Sequence, residues 1–123
     1  MADPNFIILF VDNPAASADF YAGLLGRPPV ESSPTFAMCA LPSGVMLGLW
    51  SRHAVEPTAA PSLGGGSEVA FAVDSKDAVN SLYGAWTGRG LRIAQKPVDL
   101  DFGHTFVALD PDGHRLRVFA AAA

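Results

Sequence analysis

The chain has 123 residues, of which 50% are apolar and 16% are charged, and its formal net charge is −4 at pH 7. This length suits one domain, and the apolar fraction excludes intrinsic disorder. No cluster of Lys or Arg offsets the acidic balance, which excludes a nucleic-acid partner and an anionic membrane surface, since both require a basic patch.

The first predicted element is a buried strand that leads into a helix. The stretch Phe6–Val11 is apolar, β-branched and aromatic, and it is far shorter than the roughly 20 residues that a membrane span requires. Asn13 is a favourable N-cap, Pro14 suits the first helical turn and Gly26 ends the segment, so we expect a helix over Pro14–Leu25. No basic segment precedes the strand, so we expect a cytoplasmic protein without a secretion signal.

Extended structure follows this helix. Residues 30–41 are predicted to form strands interrupted near Ser32-Ser33-Pro34, and Pro42-Ser43-Gly44 is predicted to be a tight turn into a strand over 45–51. The stretch 52–66 is rich in Pro, Ala and Gly and has no periodicity. We therefore interpret it as a linker.

The second half of the chain repeats the first. Val11-Asp12-Asn13-Pro14-Ala15-Ala16 recurs 62 positions later as Val73-Asp74-Ser75-Lys76-Asp77-Ala78. Leu41-Pro42-Ser43-Gly44 recurs 69 positions later as Asp110-Pro111-Asp112-Gly113. Such repetition indicates duplicated modules.

The repeat predicts the elements of the second module. We expect a strand over 68–73, a helix capped by Ser75 and ended by Gly88, and strands over 91–98, 105–109 and 115–119. The predicted fold class is therefore α+β, in a single domain of two βαβββ modules that form curved mixed sheets. The modules are 1–51 and 67–123, joined by the linker 52–66.

Strand alternation separates a core face from a candidate ligand face. The predicted core set is uniformly apolar: Ile7, Leu9, Val11, Leu47, Leu49, Val69, Phe71, Val73, Leu116 and Val118. The opposite set mixes aromatic, small and charged side chains, as organic-ligand pockets do: Phe6, Ile8, Phe10, Met46, Gly48, Trp50, Glu68, Ala70, Ala72, Arg115, Arg117 and Phe119. We place Phe36, Met38 and Phe102 near the same cleft and His104 at its edge.

Several motifs mark a resemblance to a known family. Phe20-Tyr21 lies on the first predicted helix, Leu24-Leu25-Gly26 closes that helix, and Asp110-Pro111-Asp112-Gly113-His114 precedes the last strand. Together with the internal repeat, these motifs resemble the vicinal oxygen chelate superfamily over essentially the whole chain. That superfamily has the glyoxalase, bleomycin-resistance and dioxygenase fold, and it includes metal-dependent enzymes and drug-binding proteins.

The resemblance also implies where a metal would be held. Members bind a metal through His, Glu or Gln at up to four equivalent strand positions, which fall here on Phe6, Gly48, Glu68 and Arg117. Only Glu68 can ligate, because a guanidinium stays protonated and brings positive charge to the place of the cation. The lone Cys39, which we expect to be buried in a strand, adds neither a disulfide nor a cysteine metal site. We therefore expect no metal, no cofactor and no catalytic residue.

One branch of the superfamily is the most similar to this chain. Leu49-Trp50-Ser51, Trp86-Thr87, Phe102-Gly103 and Arg117-Val118 resemble the phenazine-antibiotic resistance proteins. The resemblance implies a homodimer that sequesters a planar aromatic compound without metal or chemistry. In it Trp50 matches the stacking tryptophan, Arg117 matches the last-strand arginine, and His104 stands where the pattern has an arginine. The predicted ligand-binding residues are Phe6, Phe36, Met38, Met46, Gly48, Trp50, Glu68, Phe102, His104 and Arg117.

Other interpretations of the same residues stay open. Trp50 is equally suited to packing or to a dimer interface, and Glu68 with Arg117 is suited to a structural ion pair. The alternative function is an enzyme, a divergent glyoxalase-type lyase or isomerase with Glu68 as general base and Arg117 stabilising an oxyanion. A third alternative is a domain that acts only through protein contacts.

Overall fold

The computed structural model describes residues 2–61 and 64–122. The chain divides into two compact units, Met1–Ser62 and Leu63–Ala123, and the division falls inside the stretch 52–66 that we interpret as a linker. The described residues of that stretch form turns and bends, with a cis peptide bond between Glu56 and Pro57. That the units belong to one domain stays a prediction.

The first unit has the element order of a βαβββ module. It consists of β1 (Phe6–Val11), α1 (Pro14–Leu25), β2 (Glu31–Ser32), β3 (Phe36–Ala40) and β4 (Met46–Ser51). The strands form a four-stranded sheet in the order β1-β4-β3-β2. The sheet is mixed, because β1 runs parallel to β4 while the other neighbours are antiparallel.

Local capping fixes both ends of α1. The side chain of Asn13 accepts a hydrogen bond from the N–H of Ala16, and Pro14 occupies the first helical turn. Gly26 ends the helix in the left-handed region, with φ of 73°, and its N–H donates to the Ala22 carbonyl. The predicted bounds are confirmed. The helix packs on β2, β3 and β4 and buries Tyr21 completely.

The second unit repeats this architecture. It consists of β5 (Glu68–Ala72), α2 (Lys76–Gly88), β6 (Arg92–Leu100), β7 (Gly103–Leu109) and β8 (Arg115–Ala121). The sheet order is β5-β8-β7-β6, with β5 parallel to β8. The predicted α+β fold of two βαβββ modules is confirmed. Strands β6 and β8 end later, and β7 begins earlier, than the sequence predicts.

An aromatic cluster forms the core of the second unit. Helix α2, capped by the Ser75 side chain, packs on β6, β7 and β8. The ring of Trp86 meets Phe71 and Phe106 edge-on, each at a centroid distance of 5.4 Å, and Tyr83 meets Phe106 in the same way. Within the described residues, neither helix is long and apolar enough to cross a bilayer.

The core face of β1 is smaller than predicted. Leu9 and Val11 are buried, but Ile7 is 47% exposed, so its assignment to the core is wrong. The reason is the sheet order: β1 is an edge strand, and α1 lies over β2, β3 and β4 instead. Cys39 is buried in β3 as expected, and burial raises the pKa of its thiol.

Candidate ligand-binding faces

The face of the first sheet opposite α1 brings together six predicted ligand-binding residues. Strand register places Phe6 beside Met46, Ile8 beside Gly48 and Phe10 beside Trp50. On the other side of β4, Phe36 is the partner of Trp50 and Met38 is the partner of Gly48. Partners in register project to the same face of a sheet. We name this surface the aromatic face, and its six residues are Phe6, Phe36, Met38, Met46, Gly48 and Trp50.

Three rings on the aromatic face form a contiguous surface. The ring of Phe36 lies 6.4 Å from that of Phe6 and 6.3 Å from that of Trp50, the second contact being edge-on. A Cβ on Gly48 would come within 2.7 Å of the Phe6 ring and 3.2 Å of the Phe36 ring. Glycine at this position therefore lets both rings lie close to the strand. Phe6 remains 41% exposed, so part of this aromatic surface is open to solvent.

The corresponding face of the second sheet is charged. Register places Glu68 beside Arg115, Ala70 beside Arg117 and Ala72 beside Phe119. Strand β7 adds Thr105, the partner of Phe119, to the same face. We name Glu68, Thr105, Arg115, Arg117 and Phe119, together with Phe102, the charged face.

Two guanidinium groups share one carboxylate on the charged face. Arg117 donates from Nε to Glu68 Oε1 at 2.7 Å and from Nη2 to Oε2 at 3.0 Å, a bidentate pair. Arg115 Nη2 lies 2.6 Å from the same Oε2. The hydrogen bonds from Arg117, and then the charges of Arg117 and Arg115, lower the pKa of Glu68 from its ordinary value, against a smaller opposing effect of burial. Glu68 is therefore an ionised and weakly basic carboxylate at neutral pH.

Further contacts hold Arg117 in place. Its Nη1 donates to Thr105 Oγ1 at 3.1 Å, and that hydroxyl in turn donates to the carbonyl of Val118 at 2.8 Å. The guanidinium also lies 5.7 Å from the centroid of the Phe102 ring, within the range of a cation–π contact. Phe102 meets Phe119 edge-on at 5.9 Å. Glu68, Thr105 and Phe102 thus hold the Arg117 guanidinium in place.

His104 lies on the opposite side of the second sheet from the charged face. Its neighbour Thr105 projects to the charged face, so alternation directs His104 towards α2. There His104 Nδ1 lies 2.7 Å from Asp99 Oδ1, and Nε2 lies 2.9 Å from Asn80 Oδ1. Lys76 donates to the other oxygen of Asp99. The structure therefore does not bring His104 together with the other predicted ligand-binding residues.

A small cavity adjoins this histidine. It has a volume of about 400 Å³ and is lined by the start of α2, the end of β6, the start of β7 and the end of β8. Asp99, which lines the cavity, has a lowered pKa because it accepts hydrogen bonds from His104 and then from Lys76. The side chains of Lys76, Asp99 and His104 at this cavity already form hydrogen bonds within the second unit.

The charged face does not fit a divalent metal. Of the four positions to which the resemblance assigns metal ligands, Phe6 and Gly48 have no donor atom and Arg117 is a cation. Both oxygens of Glu68 already accept hydrogen bonds from guanidinium groups. Among residues 2–61 and 64–122, no group of three or more His, Cys, Asp or Glu side chains is placed to hold a metal ion.

The predicted site set omits two residues that the structure places on the charged face. Arg115 contacts Glu68 directly, and Thr105 connects Arg117 to the backbone of β8. Alternation along β8 indicates the position of Arg115, which shares its face with Arg117. Thr105 follows from the same alternation once β7 is extended to begin at Gly103.

The fold defines a class of α+β proteins built of two βαβββ modules, and in this chain the sheet faces opposite the helices are aromatic in one unit and charged in the other. The chain belongs to the Glyoxalase/Bleomycin resistance protein/Dioxygenase superfamily, whose family model matches residues 4–118. The resemblance seen in the sequence is confirmed.

Individual relatives extend this result. Over 118 residues, the chain is 29% identical to the phenazine antibiotic resistance protein EhpR of Enterobacter agglomerans, covering 94% of this chain and 89% of that protein. A solution NMR structure of an Agrobacterium tumefaciens protein is 52% identical over the whole of both chains, with a TM-score of 0.91. A glyoxalase-related enzyme from Fulvimarina pelagi is 22% identical, with a TM-score of 0.84 over 98% of this chain and 88% of that one, and shares the fold.

Proposed function

We propose that this chain is a metal-free binding protein that sequesters a planar aromatic compound and thereby confers resistance to an antibiotic of that class. The observation that carries the proposal is the aromatic face, where the rings of Phe6, Phe36 and Trp50 form a contiguous surface that is partly open to solvent and Gly48 lets the Phe6 and Phe36 rings lie close to the strand. The likeness to a phenazine antibiotic resistance protein supports phenazines as the first compounds to test. The proposal places the protein in the cytoplasm as a homodimer.

The energetics of this face suit a moderate affinity. Each aromatic pair contributes about 0.5–1.5 kcal/mol beyond area burial, so two stacked contacts supply at most about 3 kcal/mol. Micromolar binding requires about 8 kcal/mol. The remaining energy, about 5 kcal/mol, and the further cost of association must come mainly from apolar surface removed from water. Stacking therefore gives orientation, while desolvation gives most of the affinity.

The proposal is tested by titrating metal-free protein with phenazines and other planar antibiotics. Tryptophan fluorescence reports binding, and parallel titrations contain zinc, nickel or manganese. We expect saturable quenching without metal, stoichiometric capture and recovery of the ligand intact. Absence of binding by every aromatic compound, or turnover that depends on metal, would overturn the proposal.

Trp50→Ala tests the role of the aromatic face. We expect the dissociation constant to rise at least tenfold, equivalent to about 1.4 kcal/mol, because the largest ring of the face is lost. Calorimetry is the measurement, since the substitution removes a fluorophore. The control is Phe20→Ala, which removes a ring from α1, on the other side of the sheet, and should leave the dissociation constant unchanged. An unchanged constant in Trp50→Ala would remove Trp50 from the site.

The second candidate function is a divergent glyoxalase-type lyase or isomerase that uses Glu68 as base and Arg117 as oxyanion partner. The observation in its favour is the short Glu68–Arg117 contact on an open sheet face. The lowered pKa of Glu68 weighs against it, because a general base works best with a pKa near the operating pH. Glu68→Gln separates the two functions: loss of substrate turnover supports the enzyme, and binding without product supports sequestration.

The homodimer has its own structural support. Strand β1 is the edge of its sheet, and Phe6, Ile7, Ile8 and Phe10 along it are all exposed. A long apolar edge strand is a site of association unless it is covered. A second copy of the chain is the partner that we propose for it.

A further inference from the structure

We infer that the compound bound at the charged face carries an acidic group, and that Arg115 is the residue that binds this group. The ligand class is then a planar aromatic carboxylate rather than a neutral aromatic compound. This inference rests on the proposed function, to which it adds a ligand class and, besides the aromatic face of the first unit, the charged face of the second unit as a binding surface.

The charges of Arg115, Arg117 and Glu68 do not balance. Arg115 and Arg117 lie two residues apart on β8 and project to one face, where Glu68 is the carboxylate that contacts both. One carboxylate neutralises one of the two guanidinium groups, which leaves about one positive charge on this face. Thr105, Phe102 and Phe119 beside them carry no charge. A second carboxylate, supplied by a ligand, completes the balance.

Arg117 makes more contacts within the unit than Arg115 does. Arg117 binds both oxygens of Glu68, contacts Thr105 and Phe102, and has a side chain only 16% exposed. Arg115 contacts one oxygen of Glu68 through Nη2, and its side chain is 39% exposed. Arg117 is therefore committed to the fold, and Arg115 has donors accessible to a ligand.

The Nε–H donor of Arg115 also favours a ligand that accepts hydrogen bonds. Within the described residues, Nε of Arg115 is buried and has no hydrogen-bond partner. Buried donors normally have partners, and leaving one without costs about 1–3 kcal/mol. Rotation of the Arg115 side chain towards a ligand carboxylate would expose its Nε–H and Nη–H edge for the bidentate pairing that guanidinium groups favour.

An exposed aromatic surface lies next to the Arg117 guanidinium. Phe102 is 46% exposed, meets Phe119 edge-on and lies under the Arg117 guanidinium. Phe102 lies at Arg117, and Arg115 lies two residues away along β8, so an extended aromatic acid could contact Phe102 with its ring while its acidic group reaches Arg115. The two features together favour an aromatic acid over a simple anion such as phosphate.

The test compares two probes with one ring system. Phenazine-2-carboxylate and phenazine-2-carboxamide have similar size and shape and differ in charge. Calorimetric titration of the full chain at neutral pH should give a dissociation constant about tenfold lower for the carboxylate, as one charge-assisted hydrogen bond predicts. Arg115→Gln should abolish this preference, and Arg115→Lys, which keeps the charge, should retain part of it.

Two further variants complete the design. Glu68→Gln removes the internal carboxylate that competes for Arg115, so the preference for the acid should increase. Arg89→Gln removes one positive charge at the exposed end of α2 and should leave the preference unchanged. Far-ultraviolet circular dichroism checks the fold of each variant. If Arg115→Gln unfolds, Arg115→Lys tests the role of Arg115, and the comparison of the two probes on the unaltered chain still decides whether the ligand is acidic.

The outcomes distinguish this inference from the proposed function. Equal affinity for both probes would overturn the acidic-ligand inference and leave sequestration standing. A preference for the acid that survives in Arg115→Gln would overturn the role of Arg115. Failure of both probes to bind, together with failure of every other planar aromatic compound, would overturn the inference and the proposed function together.

Discussion

The ionisation of Glu68 connects the fold of the second unit with its charged face. Its pKa lies below its ordinary value because Arg117, and to a smaller extent Arg115, stabilise the carboxylate. A carboxylate with a lowered pKa in the folded state contributes stability above its unfolded pKa. That contribution is lost as the pH falls through the folded pKa.

The expected result is an acid-dependent loss of stability that begins below about pH 4.5, the ordinary pKa of a glutamate. An NMR titration of the Glu68 carboxyl carbon should give a midpoint below that value. In Arg117→Gln the midpoint should move back towards 4.5, and Arg89→Gln should leave it lowered. A midpoint at or above 4.5 in the unaltered protein would contradict the ion pair.

Gly48 sets the shape of the aromatic face. In Gly48→Ala the new methyl group would press on the rings of Phe6 and Phe36, which must move. Because Phe6 is partly exposed and free to rotate outwards, we expect a loss of only about 1 kcal/mol in the free energy of unfolding. Ligand affinity should fall more steeply, because the rings that form the face are displaced.

Urea denaturation and calorimetric titration measure these two effects separately. Gly66→Ala is the matched control, since a Cβ there meets nothing within 4 Å. Affinity equal to that of the unaltered chain in Gly48→Ala would show that the ligand does not use this part of the sheet.

The sequence predicts much of this residue-level chemistry, and strand alternation is the reason. Alternation predicts that Phe6, Gly48 and Trp50 share one face, and the strand register shows the same placement. It also predicts that Glu68 and Arg117 share a face, where the structure pairs them. The sequence places His104 at the edge of the ligand cleft, whereas the structure directs it towards α2, because the start of β7 could not be read from residues that include Phe102-Gly103. Once β7 begins at Gly103, His104 and Thr105 fall on opposite faces.

Glycines in the elements of the second unit have opposite roles. Gly84 lies inside α2 with open space around its Cβ position and a helical backbone. Gly103 begins β7 with φ of 151°, and a Cβ there would overlap the carbonyl group of Ala120 on β8. The first glycine weakens its element, while the second is required for strand pairing.

Gly84→Ala should therefore raise the free energy of unfolding by about 0.4–1 kcal/mol, because alanine loses less backbone entropy in a helix. Gly103→Ala should lower it by more than this gain, since both the positive φ and the contact with β8 oppose a side chain. Thermal and urea unfolding of the two variants give the comparison. Stabilisation in both variants would mean that β7 and β8 are paired differently at Gly103.

The order of the strands within each sheet could not be predicted from the sequence. Alternation assigns Ile7 to the core together with Leu9 and Val11, but the exposure of Ile7 depends on which strands the helix covers. The register shifts in β6 near Gln95 are a second example, because a bulge leaves no periodic signal in that strand. Element bounds, in contrast, follow from local caps such as Asn13 and Gly26.

At the scale of the whole molecule, the two modules share a topology and differ in chemistry. Phe6 and Met46 are partners in the first sheet, and Glu68 and Arg115 occupy the equivalent pair in the second. Gly48 and Trp50 likewise correspond to Arg117 and Phe119. The two units thus share one element order and one sheet order, while one presents an aromatic face and the other a charged face.

The proposed homodimer gives the last prediction. Light scattering during size-exclusion chromatography should give twice the 12.8 kDa of one chain. Ile7→Lys should shift the protein towards the monomer, because a lysine on an apolar edge strand opposes association. Ile7 is 47% exposed in the single chain, so the fold should not require it.

Val30→Lys is the control for this variant, since it adds the same charge at another exposed apolar position of the first unit. It should leave the dimer intact. A monomer at every concentration of the unaltered chain would contradict the homodimer, and the exposed side chains of β1 would then need a different partner. A dimer that persists in Ile7→Lys would place the interface elsewhere on the chain, because a buried unpaired lysine is too costly to retain at the centre of a stable contact.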